Sequence, residues 1–484
     1  GEYCKLDCIV LQKGFEKFNE LCIEALKLDT NKYISLASMS HDYLVRQGCY
    51  DGVLQICGVP RAFHQRCIVG GRCMTANNEK YHIRNIPLAD FDAVSLYPSG
   101  MARMKGFLKG APKIIRDFTP ESYDGYFICI KITEVGRELD FPLCSYKDLN
   151  GIRQFSNDIV GRYVYIDKVG LEDLIKYQEV KYEFINGYYY DEGHNPKIKE
   201  TMRYLFTQRL MYKARVYYKD IEYDNEDTLM ETLGITKLEY DNLSGVKEGN
   251  PLQLVFKECM NSSYGKSYMK PVDTDNVYIR GKDYPAFLKR HYNNIKEITA
   301  LNNDSYKITM SKPINKHYNN AHVGVEILSI TKRIMNEVMV LAQDLGIKIY
   351  YQDTDSMHLA NSEISRLAEA FKKDHKRELI GKGMGQFHTD FDLKGADKGC
   401  EIVATESIFL GKKAYIDKLE CENKDGTIIE GYHIRMKGVP SECITHYANE
   451  KEEGDVMMVY DRLHREIPVE FNLLAVKPKF SLNN

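Results

Sequence analysis

Apolar residues at Ile327, Ile330, Ile334, Val338, Leu341 and Leu345 recur at close to every 3.6 positions, which predicts a long amphipathic helix ended by Gly346. Two short apolar runs follow, Ile347-Lys348-Ile349-Tyr350-Tyr351 and Met357-His358-Leu359, with Gln352-Asp353-Thr354-Asp355-Ser356 between them. The pattern predicts a β-hairpin whose tight turn carries two carboxylates. Such a turn suits a divalent cation, because Mg²⁺ takes hard oxygen ligands, commonly one or two carboxylates together with substrate phosphates. Asp and Thr are also ordinary turn residues. The same triplet stands at Asp273-Thr274-Asp275 in a polar setting, without the helix or the apolar flanks, and is predicted there to be a surface turn.

Elsewhere helical and strand periods alternate. An amphipathic helix is predicted from the first residues to about Leu28, with apolar positions at Leu6, Ile9, Val10, Phe15, Phe18, Leu21, Ile23 and Leu26. A chain that opens inside a helix is expected to be a piece of a longer one. Short helical patterns punctuated by Gly48, Gly52 and Gly58 lead to Val69-Gly70-Gly71-Arg72. Two adjacent glycines let backbone approach a ligand closely, and a simple turn accounts for them equally well. Residues 86–98 read as a strand ending near Asp92, then a tight turn into a short helix. Asp92 is placed to point its carboxylate toward Asp355, with Asp90 as its competitor. Strands are predicted over 126–132, 163–166 and 180–190, and a short helix over 171–177.

A helical pair comes next, split by an acidic loop over 222–228. Its first arm, 198–218, carries Arg203, Arg209, Lys213 and Arg215. Its second begins near Pro251, and there Lys257, Asn261 and Tyr264 share one face. A cation, an amide and an aromatic ring on one face fit a nucleoside triphosphate, the cation meeting the phosphates and the ring the base or sugar. Gly265 is expected to end the helix. The polar stretch 266–320 is too long for an ordinary loop and reads as an inserted subdomain. Beyond the hairpin come a charged helix over 363–377, a strand over 385–388, and a strand over 411–416 headed by Lys412 and Lys413. With Arg435 and Lys437 these lysines suit nucleic-acid phosphates, as they would a generic basic surface.

Composition narrows the setting. The chain has 484 residues, 43% of them hydrophobic, enough for several lobes with cores of their own. A net charge of −3 offers a polyanion no global attraction, so local basic grooves must hold one. Thirteen cysteines without a Cys-x-x-Cys pair predict free thiols and an intracellular protein. No apolar run approaches the ~18 residues of a membrane span and no secretory leader is visible, so no membrane partner is expected.

Three stretches, in order, resemble the polymerase motifs of family B DNA polymerases. Asp92, Ser95, Leu96, Tyr97 and Pro98 match Asp-x-x-Ser-Leu-Tyr-Pro. Lys257, Asn261, Ser262, Tyr264 and Gly265 match Lys-x-x-x-Asn-Ser-x-Tyr-Gly. Tyr351, Asp353, Thr354, Asp355 and Ser356 match Tyr-x-Asp-Thr-Asp-Ser. Lys413 and Tyr415 resemble the Lys-x-Tyr primer-terminus motif, and Tyr3 with Asp7 fits the third exonuclease motif. The first two exonuclease motifs are not in this sequence, so the chain itself is expected not to proofread. Gly70-Gly71 falls where protein-primed members carry Tyr-x-Gly-Gly, with Ile68 in place of the tyrosine. Two long insertions also resemble that branch, which serves phages, viruses, linear plasmids and related elements.

The resemblance implies an α+β right hand, with palm, fingers and thumb, an antiparallel palm sheet and two inserted subdomains. Its expected parts are an exonuclease remnant (1–28), linker and first palm segment (29–139), an insertion resembling terminal-protein region 1 (140–195), fingers (196–265), an insertion resembling region 2 (266–320), second palm segment (321–400) and thumb (401–484). The implied reaction is template-directed addition of deoxynucleotides to a primer hydroxyl. Asp92, Asp355 and, as the weaker ligand, Asp353 would hold two Mg²⁺ ions, with Mn²⁺ as a substitute. Lys257, Arg209, Lys213 and Asn261 would hold the dNTP. Tyr97 would block a ribose 2′-hydroxyl, and Tyr264 would pack on the nascent pair. Ser262, Gly265, Thr354, Lys413, Tyr415, Gly70 and Gly71 would meet primer–template DNA. A monomer is expected, with a terminal protein as priming partner, in the host cytoplasm or nucleus if viral. The alternatives are a family B polymerase that is not protein-primed and a catalytically silent DNA-binding replication scaffold, whose acidic set would be broken.

Overall fold

The computed structural model describes residues 2–269, 272–313 and 317–473. At its centre lies an eight-stranded sheet that runs Cys73–Thr75, Ile349–Asp353, Ser356–Ala360, Tyr81–Ala93, Val403–Gly411, Ala414–Glu422 and Ile428–Met436, with Phe387–Thr389 also paired to Tyr81–Ala93. Every pairing in it is antiparallel. Around this palm sheet the architecture is the α+β right hand that the sequence predicts.

The predicted long helix runs over Ala321–Asp344, and Gly346 beyond it takes φ +70, the left-handed value that ends helices. Its apolar stripe serves two cores. Ile334 and Val338 pack with Phe91, Met357, Leu359 and Phe387 behind the hairpin. Two to three turns earlier, Val323 and Ile327 pack with Met101, Val255 and Met260 under the helical pair. Each such buried aliphatic side chain stabilises by roughly 1.5–3 kcal/mol, so this helix fixes the hairpin against the helices that face it.

The helical pair is Lys197–Ala214 and Leu252–Ser262, with Tyr212 stacked on Phe256 at 5.7 Å. The first arm stops four residues before the predicted Tyr218. Val216–Tyr218 instead pairs with Ile221–Tyr223 and Lys247–Glu248. β-branched and aromatic residues there satisfy a strand once a turn returns the chain. Gly265 does not end the second arm: the helix closes at Ser262, Ser263 and Tyr264 stay in the right-handed region, and a 3₁₀ turn continues over Gly265–Tyr268.

The predicted strands appear as Gly125–Glu134, Tyr163–Asp167 and Lys181–Tyr190, in one sheet with Lys113–Ile114, and the helix as Lys168–Gln178. Pairing therefore ties residues upstream of 140 to the 140–195 stretch. Within 266–320, Thr274–Arg280, Ser305–Ser311 and Ile295–Asn302 form a separate three-stranded sheet. Asp273-Thr274-Asp275 opens the first of these strands and is not a turn; its exposed carboxylates pair with Lys296 and Lys312. Lys412 and Lys413 likewise form a hairpin turn between two strands and do not head one. The first helix spans Glu2–Leu26 with Asp7 exposed, while the side chain of Tyr3 lies outside the described residues. All thirteen cysteines are free. No helix among the described residues is long and apolar enough to cross a membrane.

Candidate active site

Strand register brings the two distant acidic segments together. Ser356 lies opposite Asp92 in the antiparallel ladder, and the Ala93 N–H donates to the Asp355 carbonyl at 2.8 Å. His388 flanks Asp92 from the other side. The same register pairs Asp90 with His358, deeper in the sheet, where Asp90 Oδ1 is buried without a hydrogen bond. Asp90 therefore sits further in along the strand, facing His358, and Asp92 is the carboxylate nearer the hairpin turn.

The converging charges disturb one another. Burial pushes the Asp92 carboxyl up to about 8, with Asp355, Asp390 and Asp90 adding to it. Burial likewise raises Asp355 to about 6, helped by Asp353 and Asp90. Neither Asp92 nor Asp355 forms an ion pair with a Lys or Arg among the described residues. A pair of hard oxygen donors, crowded and uncompensated, is a donor set that fits a divalent cation. Asp353 differs: both its carboxylate oxygens accept from Lys413 Nζ, Oδ2 at 2.7 Å. The Lys413 N–H in turn donates to Tyr351 Oη at 3.1 Å.

Three residues around the site hold left-handed backbone: Thr354 (φ +60) in the hairpin turn, Ser95 (φ +49) just after Asp92, and Lys413 (φ +60). A β-branched residue is strained there, and such strain persists only where neighbours impose it. The Thr354 N–H donates to the Arg72 carbonyl at 2.8 Å. Gly71 lies directly under the turn, where an added Cβ would come within 2.5 Å of Thr354 Cγ2. The Gly-Gly pair thus lets backbone approach the hairpin through Gly71, while Gly70 is exposed with open space around it. Gly71→Ala should push the hairpin turn aside and lower the thermal midpoint, because the added Cβ would meet the Thr354 side chain. The Gly71→Ala/Thr354→Gly double variant should recover most of the loss, as thermal unfolding would read.

Arg72, which the sequence showed only as a cation after the glycines, is 2% exposed. Its guanidinium donates to Gln352 Oε1 at 2.5 Å, to the Phe141 and Pro142 carbonyls at 3.1 and 3.2 Å, and to Asn336 Oδ1 at 3.1 Å. It thereby ties the hairpin to the long helix and to the 141–142 loop. Burial depresses its pKa to about 9.

The helical pair faces the acidic end through several side chains. Arg209 Nη1 donates to Ser95 Oγ at 2.9 Å. Tyr264 stacks on Tyr97 with ring centres 4.1 Å apart and planes 10° from parallel, joining the end of the second helix to the first turn of the short helix Leu96–Arg103 that follows Asp92. Lys213 is exposed and near enough to His388 to oppose its protonation. Lys257, Asn261 and Ser262 are half-buried, and Lys257 forms no ion pair among the described residues. Tyr415 is 5% exposed and sits among aromatic rings, yet it lines a cavity of about 290 Å³ together with Asp353, Lys413, Arg435 and Lys437. His388 and Asp390 escaped the sequence reading. The strand predicted over 385–388 was the available signal, but its register against Asp92 was not visible.

Behind the hairpin strands His358 is fully buried among the rings of Tyr351, Phe391, Phe409 and Tyr415. Its Nε2 lies 3.3 Å from Asp417 Oδ2, while Ser407 Oγ donates to Asp417 Oδ1 at 2.7 Å. Asp417 and Asp90 raise the His358 pKa against its burial, and His358, His433 and Ser407 hold Asp417 far below the usual carboxylate range. A raised histidine stabilises fully below the unfolded value of about 6.5 and loses that contribution as pH climbs through its folded value. The depressed Asp417 stabilises above about pH 4. Thermal unfolding of the metal-free protein should therefore show wild type losing more stability than His358→Gln between pH 6 and 9.

The sheet, the acidic turn and the facing helices define a right-hand polymerase. Residues 1–344 match the model of DNA polymerase type B, organellar and viral, and the chain belongs to that family. A "Probable DNA polymerase" of Ascobolus immersus is 22% identical over 424 residues, which is 85% of this chain and 29% of that protein. Among solved structures, Phi29 DNA polymerase complexed with primer-template DNA superposes with a TM-score of 0.53 at 15% identity, covering 84% of this chain and 60% of that one. Its ternary complex with primer-template DNA and incoming nucleotides gives 0.52 at 15% identity, again with 84% and 60% covered. The chain thus spans less than a third of the fungal protein and about three fifths of the phage one.

Proposed function

We propose that this chain carries the polymerising core of a template-directed DNA polymerase that replicates a viral, phage or mobile-element genome. The observation that supports the reading is the Asp92–Ser356 register, which brings Asp92 beside the residue that follows Asp355, near enough for the Asp355 charge to add to the raised Asp92 pKa. Asp92 and Asp355 would hold two Mg²⁺ ions, or Mn²⁺, with Asp353 as a supporting carboxylate already compensated by Lys413. When bound, such a pair lowers the pKa of an attacking 3′-hydroxyl and offsets charge on the triphosphate.

The remaining work falls to the chain's own side chains. Arg209, Lys213 and Lys257 supply positive charge to the dNTP phosphates, and Asn261 a polar contact beside them. Arg209 also pins Ser95, and so holds the turn that aims Asp92. The stacked Tyr97 and Tyr264 form a flat floor for the sugar and base, on which a ribose 2′-hydroxyl would meet Tyr97. Lys413, Tyr415, Arg435 and Lys437 line the cavity that receives the primer strand, while Ser262, Gly265, Thr354 and Gly70-Gly71 border the template path. The solved Phi29 polymerase structures are complexes with primer-template DNA and, in one, incoming nucleotides, which supports the same partners for this chain. The 140–195 and 266–320 stretches, with the family resemblance, support priming by a terminal protein.

Primer extension with Mg²⁺ on a templated oligonucleotide tests the reading. Extension by wild type and none by Asp355→Asn is the expected result. Wild type that neither extends a primer nor transfers a labelled deoxynucleotide to a candidate priming protein would overturn it.

A further inference from the structure

The last helix of the described chain, Val456–His464, packs on strands Val403–Gly411, Ala414–Glu422 and Tyr81–Ala93, away from the catalytic turn. Where it meets the Tyr81–Ala93 strand, His82 faces Asp461 and His464. One ligand-capable atom from each of the three lies within 4.8 Å of the other two, and all three residues are half-buried, open enough for a small ion to enter. His82 Nδ1 stands 3.4 Å from Asp461 Oδ1. That is long for a charge-assisted hydrogen bond, about 2.7–2.9 Å. It equals the edge of a tetrahedron: ligands about 2.0–2.1 Å from a zinc ion stand about 3.3 Å apart.

The surrounding groups are arranged as outer partners of metal ligands. A ligating imidazole usually gives its other ring nitrogen to a carboxylate, which fixes the ring. His82 does this: its Nε2 bonds Glu406 Oε1 at 2.6 Å. The free oxygen of Asp461, Oδ2, pairs with Arg465 at 2.6 Å, which leaves Oδ1 toward the histidines. His464 lies in the last helical turn, where carbonyl ends favour a cation. Lys80, the nearest ammonium, is drawn instead to Glu466 at 3.3 Å and to the Leu463 carbonyl at 3.5 Å.

We propose that His82, Asp461 and His464 form a second metal site, for a transition-metal ion of the zinc class with water in its fourth position, which clamps the C-terminal helix to the palm strand. Two imidazoles and one carboxylate select such an ion over Mg²⁺, which the all-oxygen catalytic set prefers.

The test is Co²⁺ and Zn²⁺ titration of chelator-stripped protein in excess Mg²⁺. Exposed Cys4 and Cys8 lie four apart on the first helix and could also bind zinc, so the background is Cys4→Ser/Cys8→Ser. One equivalent of Co²⁺ should give the visible bands of a four-coordinate ion, displaced by Zn²⁺, and Zn²⁺ should raise the thermal midpoint. His464→Gln and, separately, Asp461→Asn should abolish both signals, and Glu406→Gln should weaken affinity by about 10–100-fold. Absence of the bands in the Cys-free background, or their persistence in His464→Gln and Asp461→Asn, overturns the proposal.

Discussion

Asp355→Asn is expected to slow nucleotide addition by at least ~10³-fold, about 4 kcal/mol of barrier, while primer–template affinity stays within about threefold because phosphate contacts dominate it. Single-turnover extension and filter binding would measure the two quantities. A companion effect follows from the crowding at this site. In chelator at pH 7 to 8, burial and neighbouring carboxylates have raised Asp92 to about 8 and Asp355 to about 6, so Asp92 is held largely protonated and Asp355 is ionised in a poorly solvated place. A carboxyl raised by its folded surroundings destabilises once pH exceeds its unfolded value of about 3.9. Asp92→Asn and Asp355→Asn should therefore melt higher than wild type without metal, by about 2 °C for each ~1 kcal/mol regained. Saturating Mg²⁺ should reverse the order, because only wild type can use the ions. Activity that survives in Asp355→Asn, or an unchanged ranking of melting temperatures, would contradict the assignment.

Arg72→Met should be the most destabilising single change near the site. The side chain is buried and its donors reach Gln352, Asn336 and two loop carbonyls, none of them charged. Removing it strands those acceptors, and each buried acceptor left without a donor costs about 1–3 kcal/mol. Denaturant unfolding would show the midpoint falling with little change in slope. Activity should fall too, since the Arg72 carbonyl accepts from the strained Thr354 and its guanidinium holds Gln352 beside Asp353. Arg72→Lys should recover little, because one ammonium cannot span acceptors arranged for a planar fork. Near-normal stability in Arg72→Lys would show that charge alone, and not the fork, holds the hairpin.

Local signals made a good part of this legible in advance. The long helix was readable because its stripe repeats every turn, and its end because Gly346 suits a left-handed φ. The hairpin was readable because two apolar runs flank a turn-forming triplet. The identical triplet at Asp273 was correctly expected at the surface, yet it opens a strand, since Thr274–Arg280 finds its partner in Ser305–Ser311 only after the chain has folded back. Lys412 and Lys413 were misplaced within a strand for a similar reason: a two-residue turn without glycine leaves little mark in composition.

The sequence by itself determined which side chains could do chemistry: Asp92, Asp353 and Asp355, the cationic and aromatic face around Lys257 and Tyr264, and the motifs that tie them to one polymerase family. Only the tertiary structure decided which of them meet. The choice of Asp92 over Asp90 is one of strand register, and a slip of two residues would exchange them while keeping the same face outward. The Tyr97–Tyr264 stack, the Arg72 web and the pairing of Lys413 with Asp353 join residues 60 to 280 positions apart. Periodicity and propensity act over a few residues, whereas burial of a cation or convergence of like charges depends on packing between segments far apart in the chain.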